Sequence, residues 1–125
     1  MKIKELNGIY FYIGRTAKEN WLLLDNSKKI NQAYIWFHLN SFASPYVIMY
    51  ATLDELDKLH DYIDISNNKI TVDEFLQYGA QLCKEYSKYK SYNNLKIMYT
   101  PINKLTKTNN IGEVDVKGKT KLITL

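Results

Sequence analysis

Cysteine and histidine are scarce in this chain of 125 residues, with one cysteine, Cys83, and two histidines, His38 and His60. A lone thiol excludes an internal disulfide and fits a reducing compartment. So few soft ligands exclude the standard cysteine-rich zinc sets, and the sequence has no HExxH, no GxSxG and no glycine-rich phosphate loop. Long apolar runs are missing too. No stretch approaches the roughly 18 consecutive apolar residues of a membrane span, and the opening MKIKELNG has no signal-peptide core. The expectation is a cytoplasmic protein with no membrane span, no cofactor and no catalytic centre.

What is present is ordinary globular material: 46% hydrophobic, 24% charged, enough for one hydrophobic core and hence one domain over residues 1–125. The charge is unevenly spread. Residues 1–50 sum to +3, residues 51–83 to −5 and residues 84–125 to +6, within a net charge of +4. A basic final third beside an acidic middle fits a polyanionic partner, or else a solvated lysine-rich surface.

The chain centres on Tyr34 to Tyr50, YIWFHLNSFASPYVIMY, which reads as two short strands joined by a Ser/Ala/Pro connection. Alternation puts Ile35, Phe37 and Leu39 on an apolar face, and Tyr34, Trp36, His38 and Asn40 on the other. That second face is the expected working surface. Before it, Asn7-Gly8 opens a strand from Ile9 to Ile13, and a short helix is predicted over Lys18 to Leu24, stopping near Asn26-Ser27. After it, Thr52 to Glu55 and Thr71 to Glu74 are capping-box patterns. The first starts a helix bearing Leu53, Leu56, His60 and Ile63. The second starts a helix running to about Tyr89, with Phe75, Leu76, Gly79, Leu82, Cys83 and Tyr86 inward. Asn67-Asn68 between them is a loop. Strands follow over Leu95 to Thr100, Glu113 to Val116 and Lys121 to Leu125, with a polar loop from Asn103 to Gly112. The fold class is α+β: a mainly antiparallel sheet with helices packed on one side.

For His60 a solvated place on an acidic helix suffices, while His38 beside Trp36 is either a hydrogen-bonded structural residue or a binding group. Lys84 to Tyr92, KEYSKYKSY, interleaves lysine with tyrosine. Lys88 and Lys90 suit phosphates and the rings suit unpaired bases, although amphipathic packing explains the same pattern. Lys104 and Lys107 with Thr106 and Thr108 add donors for phosphate oxygens, and Arg15 offers a planar fork.

With these residues assembled, the sequence resembles the NFACT-R domain family, most closely its small standalone members. The matching segments are Tyr12-Ile13-Gly14-Arg15 with Glu19-Asn20, Ile35-Trp36-Phe37-His38, Ser44 to Val47, Asn93-Asn94, Tyr99-Thr100-Pro101, Leu105 to Thr108 and Gly112. The resemblance implies a domain that binds RNA or another nucleic acid, in a family whose larger members act in quality control on the large ribosomal subunit. It adds Asn20 to the candidate contacts. Two positions depart from the family's pattern: Tyr34 stands where an acidic residue is usual, and Tyr46 where a histidine is usual. A polar set shared with His38 would be dismantled by those two changes. Those standalone members continue into a charged coiled coil beyond Leu125, so a partner reached through that tail is expected to be lost. The reading is a non-catalytic adaptor for RNA, ribosomal RNA or the large-subunit surface in particular. A protein-interaction module using the acidic Asp54 to Asp64 helix or a sheet edge, a DNA-binding module, and a hydrolase or nuclease using His38 stand as alternatives.

Overall fold

The computed structural model describes residues 1–59 and 70–125. His60, Ile63, Asp64 and the Asn67-Asn68 loop lie outside the described residues. Asn7 and Gly8 take positive φ angles of 50° and 86°. That is the two-residue turn whose twist suits a hairpin. It folds β1 (Lys2–Leu6) onto β2 (Ile9–Gly14), with Lys2 opposite Ile13 and Leu6 opposite Ile9. The sequence pattern marked the turn and missed β1, because KIKEL is a charged edge strand with little to bury.

α1 (Ala17–Ile30) starts at Thr16, whose side chain accepts from the Glu19 amide. It runs past Asn26-Ser27, where the sequence suggested a stop. Ser27 is fully buried and its hydroxyl meets the Tyr50 hydroxyl at 2.7 Å, so a tertiary bond satisfies the group that would otherwise favour a turn. Lys28 and Lys29 in the last turn oppose the helix dipole.

β3 (Ile35–Leu39) and β4 (Tyr46–Met49) form the middle of the sheet. α2 (Leu53–Leu59) and α3 (Val72–Glu85) begin on the expected caps: Glu55 N donates to Thr52 Oγ1 at 3.1 Å, and Glu74 N to Thr71 Oγ1 at 3.2 Å. α3 stops four residues short of Tyr89. Ser87 is responsible: its hydroxyl donates to Lys84 O at 2.7 Å and accepts from Tyr89 N at 3.1 Å, drawing the chain into turns. β5 (Lys96–Pro101) and β8 (Lys121–Thr124) complete an antiparallel sheet of order β1-β2-β4-β3-β5-β8.

The predicted loop Asn103 to Gly112 contains more structure than its composition suggested. A 3-10 turn (Ile102–Lys104) leads into β6 (Leu105–Lys107), which pairs with β7 (Val114–Val116) in a separate ribbon. Leu105 is its buried anchor, too isolated in sequence to show a period.

The class is α+β with an antiparallel sheet, but the helices are not confined to one side. α2 and α3 cover the face of Phe11, Ile13, Ile35, Phe37, Leu39, Val47 and Met49. α1 brings Leu23 and Leu24 onto the opposite face, against Trp36, Tyr46 and Ile48, where Ile102 and Leu105 also pack. The reason is the second face itself: Trp36 and Ile48 are too apolar to leave wet, and α1 is the helix that covers them.

Candidate functional site

Both central strands reach one end of the α1-covered face uncapped, and there a cleft of about 710 Å³ opens. One wall is the start of α1, Arg15 to Ala17, with the loop Asn110 to Glu113. The other is the Ser41 to Pro45 connection with the turn around Tyr86 to Tyr89. Trp36, His38, Tyr46 and Met98 also line it.

Neighbouring groups hold the Asn110 to Glu113 loop in place. Tyr46 donates its hydroxyl to Gly112 O, and Trp21 Nε1 donates to Glu113 O at 3.2 Å. Gly112 has a φ of +87°, and a Cβ there would lie 2.7 Å from Ala17 Cβ, so only glycine lets the loop close on α1. Burial, reinforced by the charge of Glu113, raises the Tyr46 pKa, keeping its hydroxyl a donor.

His38 is half-buried, its ring stacked on Trp36 at 5.2 Å and 19° and edge-on to Tyr46 at 5.8 Å and 79°. Nδ1 lies 2.7 Å from Leu39 O. Burial lowers its pKa below the usual 6.5, against a smaller upward pull from that carbonyl. The imidazole is therefore neutral near pH 7.

At the rim, Phe42 is 41% exposed and packs on Tyr89 at 4.6 Å; Tyr92, 52% exposed, meets Tyr89 edge-on at 5.2 Å. Arg15 and Lys88 are exposed cations lining the same cleft. The Arg15 guanidinium has no carboxylate partner among the described residues, since Glu19 bonds the Arg15 amide and the amino terminus instead.

The structure thus gathers Arg15, His38 and Lys88, and it separates or occupies the other candidates. Trp36 is only 1% exposed, so its indole forms part of the core and has no free face for a base. Asn20 also lines the cleft but is 6% exposed, with Oδ1 accepting from Tyr46 N at 3.2 Å; it joins α1 to β4. Lys107 is bound to Asp25 at 2.9 Å and lies 5.0 Å from the Trp21 ring centroid. Thr106 is exposed opposite Asp115, Lys104 is exposed on the 3-10 turn, and Lys90 is exposed in the α3–β5 turns; none of these lines the cleft. Sequence reasoning missed Phe42, whose only signal was an aromatic residue in a Ser/Ala/Pro connection. It also missed Tyr46 as the tether of the far wall. Tyr34 stacks on Tyr50 at 4.6 Å, with Tyr12 on the far side of Tyr50, and is outside the cleft; Tyr46 alone of the two departures touches His38.

Among the described residues no cluster of three or more metal-ligating side chains occurs, and no described helix is long and apolar enough to cross a membrane. The family model of the NFACT protein RNA binding domain matches residues 2–122. The chain belongs to this family. Its NFACT-R fold, and with it the RNA-binding character of the family, spans nearly the whole sequence. Among solved structures, the C-terminal of the fibronectin/fibrinogen-binding protein from Streptococcus suis superposes with a TM-score of 0.69 at 19% identity, over 94% of this chain. At that identity the likeness shows the fold alone, and the NFACT-R chain spans about 40% of the length of that structure. No curated protein matches the sequence.

Proposed function

We propose that this NFACT-R domain holds single-stranded or looped RNA across the cleft, as a non-catalytic cytoplasmic adaptor that docks on the large ribosomal subunit. Arg15 and Lys88 neutralise phosphates, and Phe42 with Tyr89 and Tyr92 provides faces for unpaired bases. The observation that carries this reading is the meeting of Arg15 and Lys88 with the Phe42 and Tyr89 rings in one concavity, with Tyr92 against Tyr89 beside it, drawn from three distant stretches of sequence. Lys104, Thr106 and Lys90 are left to secondary, peripheral contacts. The acidic α2, with Asp54, Glu55 and Asp57 exposed, packs on the opposite side of the sheet and so does not repel a polyanion at the cleft.

Anisotropy titrations with labelled single-stranded RNA between low and physiological salt test this. Log K should fall by roughly 0.7 per unit of log salt for each phosphate neutralised. An affinity that stays flat over that range rules out the phosphate contacts. Sedimentation with large subunits at low salt and release at high salt tests the docking, and competition by DNA of the same sequence measures the preference between the two nucleic acids.

A further inference from the structure

We infer that His38 is an acceptor that reads a hydrogen-bond donor of the bound nucleotide, through a ring nitrogen whose role the fold has already set. This rests on the proposed RNA site and says what that site selects. Leu39 O, 2.7 Å from Nδ1, is a carbonyl and can only accept, so Nδ1 must carry the proton. A neutral imidazole protonated at Nδ1 is bare at Nε2, at the distal end of a ring that lines the cleft. Nε2 has no partner among the described residues.

The ring plane is fixed as firmly as its tautomer. Trp36 stacks beneath at 5.2 Å and Tyr46 abuts the edge, both buried, so His38 cannot turn to exchange its nitrogens without breaking the bond to Leu39 O. Trp36 Nε1 is itself buried with no partner among the described residues. A preset acceptor rejects ligands that offer only lone pairs, which is why phosphate belongs at Arg15 and Lys88, away from the ring. The ligand groups that fit Nε2 share one chemistry, an N–H or O–H donor. In RNA this is either a base amino or imino group or the ribose 2′-hydroxyl.

The test compares His38→Phe, which keeps the ring stack and loses the acceptor, with His38→Gln, which restores an acceptor carbonyl. The probes are a labelled single-stranded RNA of about 12 nucleotides and its 2′-deoxy counterpart. His38→Phe should bind RNA about tenfold more weakly, and His38→Gln should recover most of the loss. An equal loss on both probes assigns the donor to a base, and a loss on RNA alone assigns it to the 2′-hydroxyl. Long-range proton–nitrogen NMR of the free wild-type protein should show the proton on Nδ1 near neutral pH. A proton on Nε2, or His38→Phe binding like the wild type while Arg15→Glu does not bind, overturns this inference and leaves the RNA site standing. A wild type that binds neither probe overturns both.

Discussion

The two faces of the central sheet share the same strands and the same alternation, yet they end in different states. On the α3 face every inward residue from Phe11 to Ile97 is sealed under Phe75, Leu76, Leu82 and Cys83, and what remains is apolar. On the α1 face the cover is shared between one helix and the small β6–β7 ribbon. These two covers leave a cleft at the end where His38, Tyr46 and Arg15 stand. The difference teaches that chemistry sits where the cover is incomplete, and that a polar residue in a strand says little until the covering element is known.

The sharpest break of that comparison is expected on the sealed face. Phe37→Ala removes a fully buried ring beneath α3 and should lower stability by about 3–5 kcal/mol, read in a denaturant titration. The fraction that remains folded should bind RNA like the wild type, because the ring points away from the cleft. Loss of binding in excess of the loss of folding would show that the faces are not independent.

Cys83 reports on the same face through pH. Burial, opposed by the hydrogen bond from Ser44, pushes its thiol from its ordinary 9.0 up to about 12. The folded state therefore keeps a proton that the unfolded state loses, so the contribution is whole below pH 9.0 and drains away as pH rises towards about 12. Over that window the loss amounts to at most about 4 kcal/mol, at roughly 1.4 kcal/mol per pH unit. Cys83→Ala should flatten the alkaline limb of stability against pH, and the thiol of the wild type should resist alkylation until the protein unfolds.

Moving to the open face, Arg15→Glu should cost about tenfold or more in RNA affinity at low salt and reduce the salt slope by about one phosphate. Stability should change by no more than about 0.5 kcal/mol, since the side chain is exposed and unpaired. Phe42→Ala should weaken binding less, by about 1 kcal/mol, the lower end for one base-stacking ring. Phe42 is preferred to Tyr89 for this test because Tyr89 also packs against the α3 core, which would mix folding with binding.

How much of this the sequence disclosed follows from what each residue answers to. The strands β2 to β5 and the caps at Thr52 and Thr71 were legible because local alternation and local hydrogen bonding make them. The length of α1 was not, because Ser27 is kept helical by Tyr50, 23 residues away. β6 was not, because three residues carry no period. Among the site residues, Arg15 and Lys88 do face the cleft with His38, which spacing alone does not reveal. Alternation puts Trp36 on the expected working surface, and the elements that bury it, α1 and the Ile102 to Leu105 segment, are visible only in three dimensions.

Lys107 gives the smallest and most discriminating contrast, since by sequence it was as good a phosphate ligand as Arg15. Its ammonium lies 2.9 Å from Asp25 and 5.0 Å from the Trp21 centroid, and Trp21 in turn holds the Glu113 carbonyl of the cleft wall. A half-exposed pair of this kind contributes about 0.2–1 kcal/mol, and the same contact neutralises the charge a phosphate would need. Lys107→Met should therefore lower stability by no more than about 1 kcal/mol. It should leave both the RNA affinity and its salt slope nearly as in the wild type. The same two measurements on Arg15→Glu supply the scale. If Lys107→Met instead reduced the salt slope as much as Arg15→Glu does, RNA would have to displace Asp25, and the ribbon would belong to the binding surface together with the cleft.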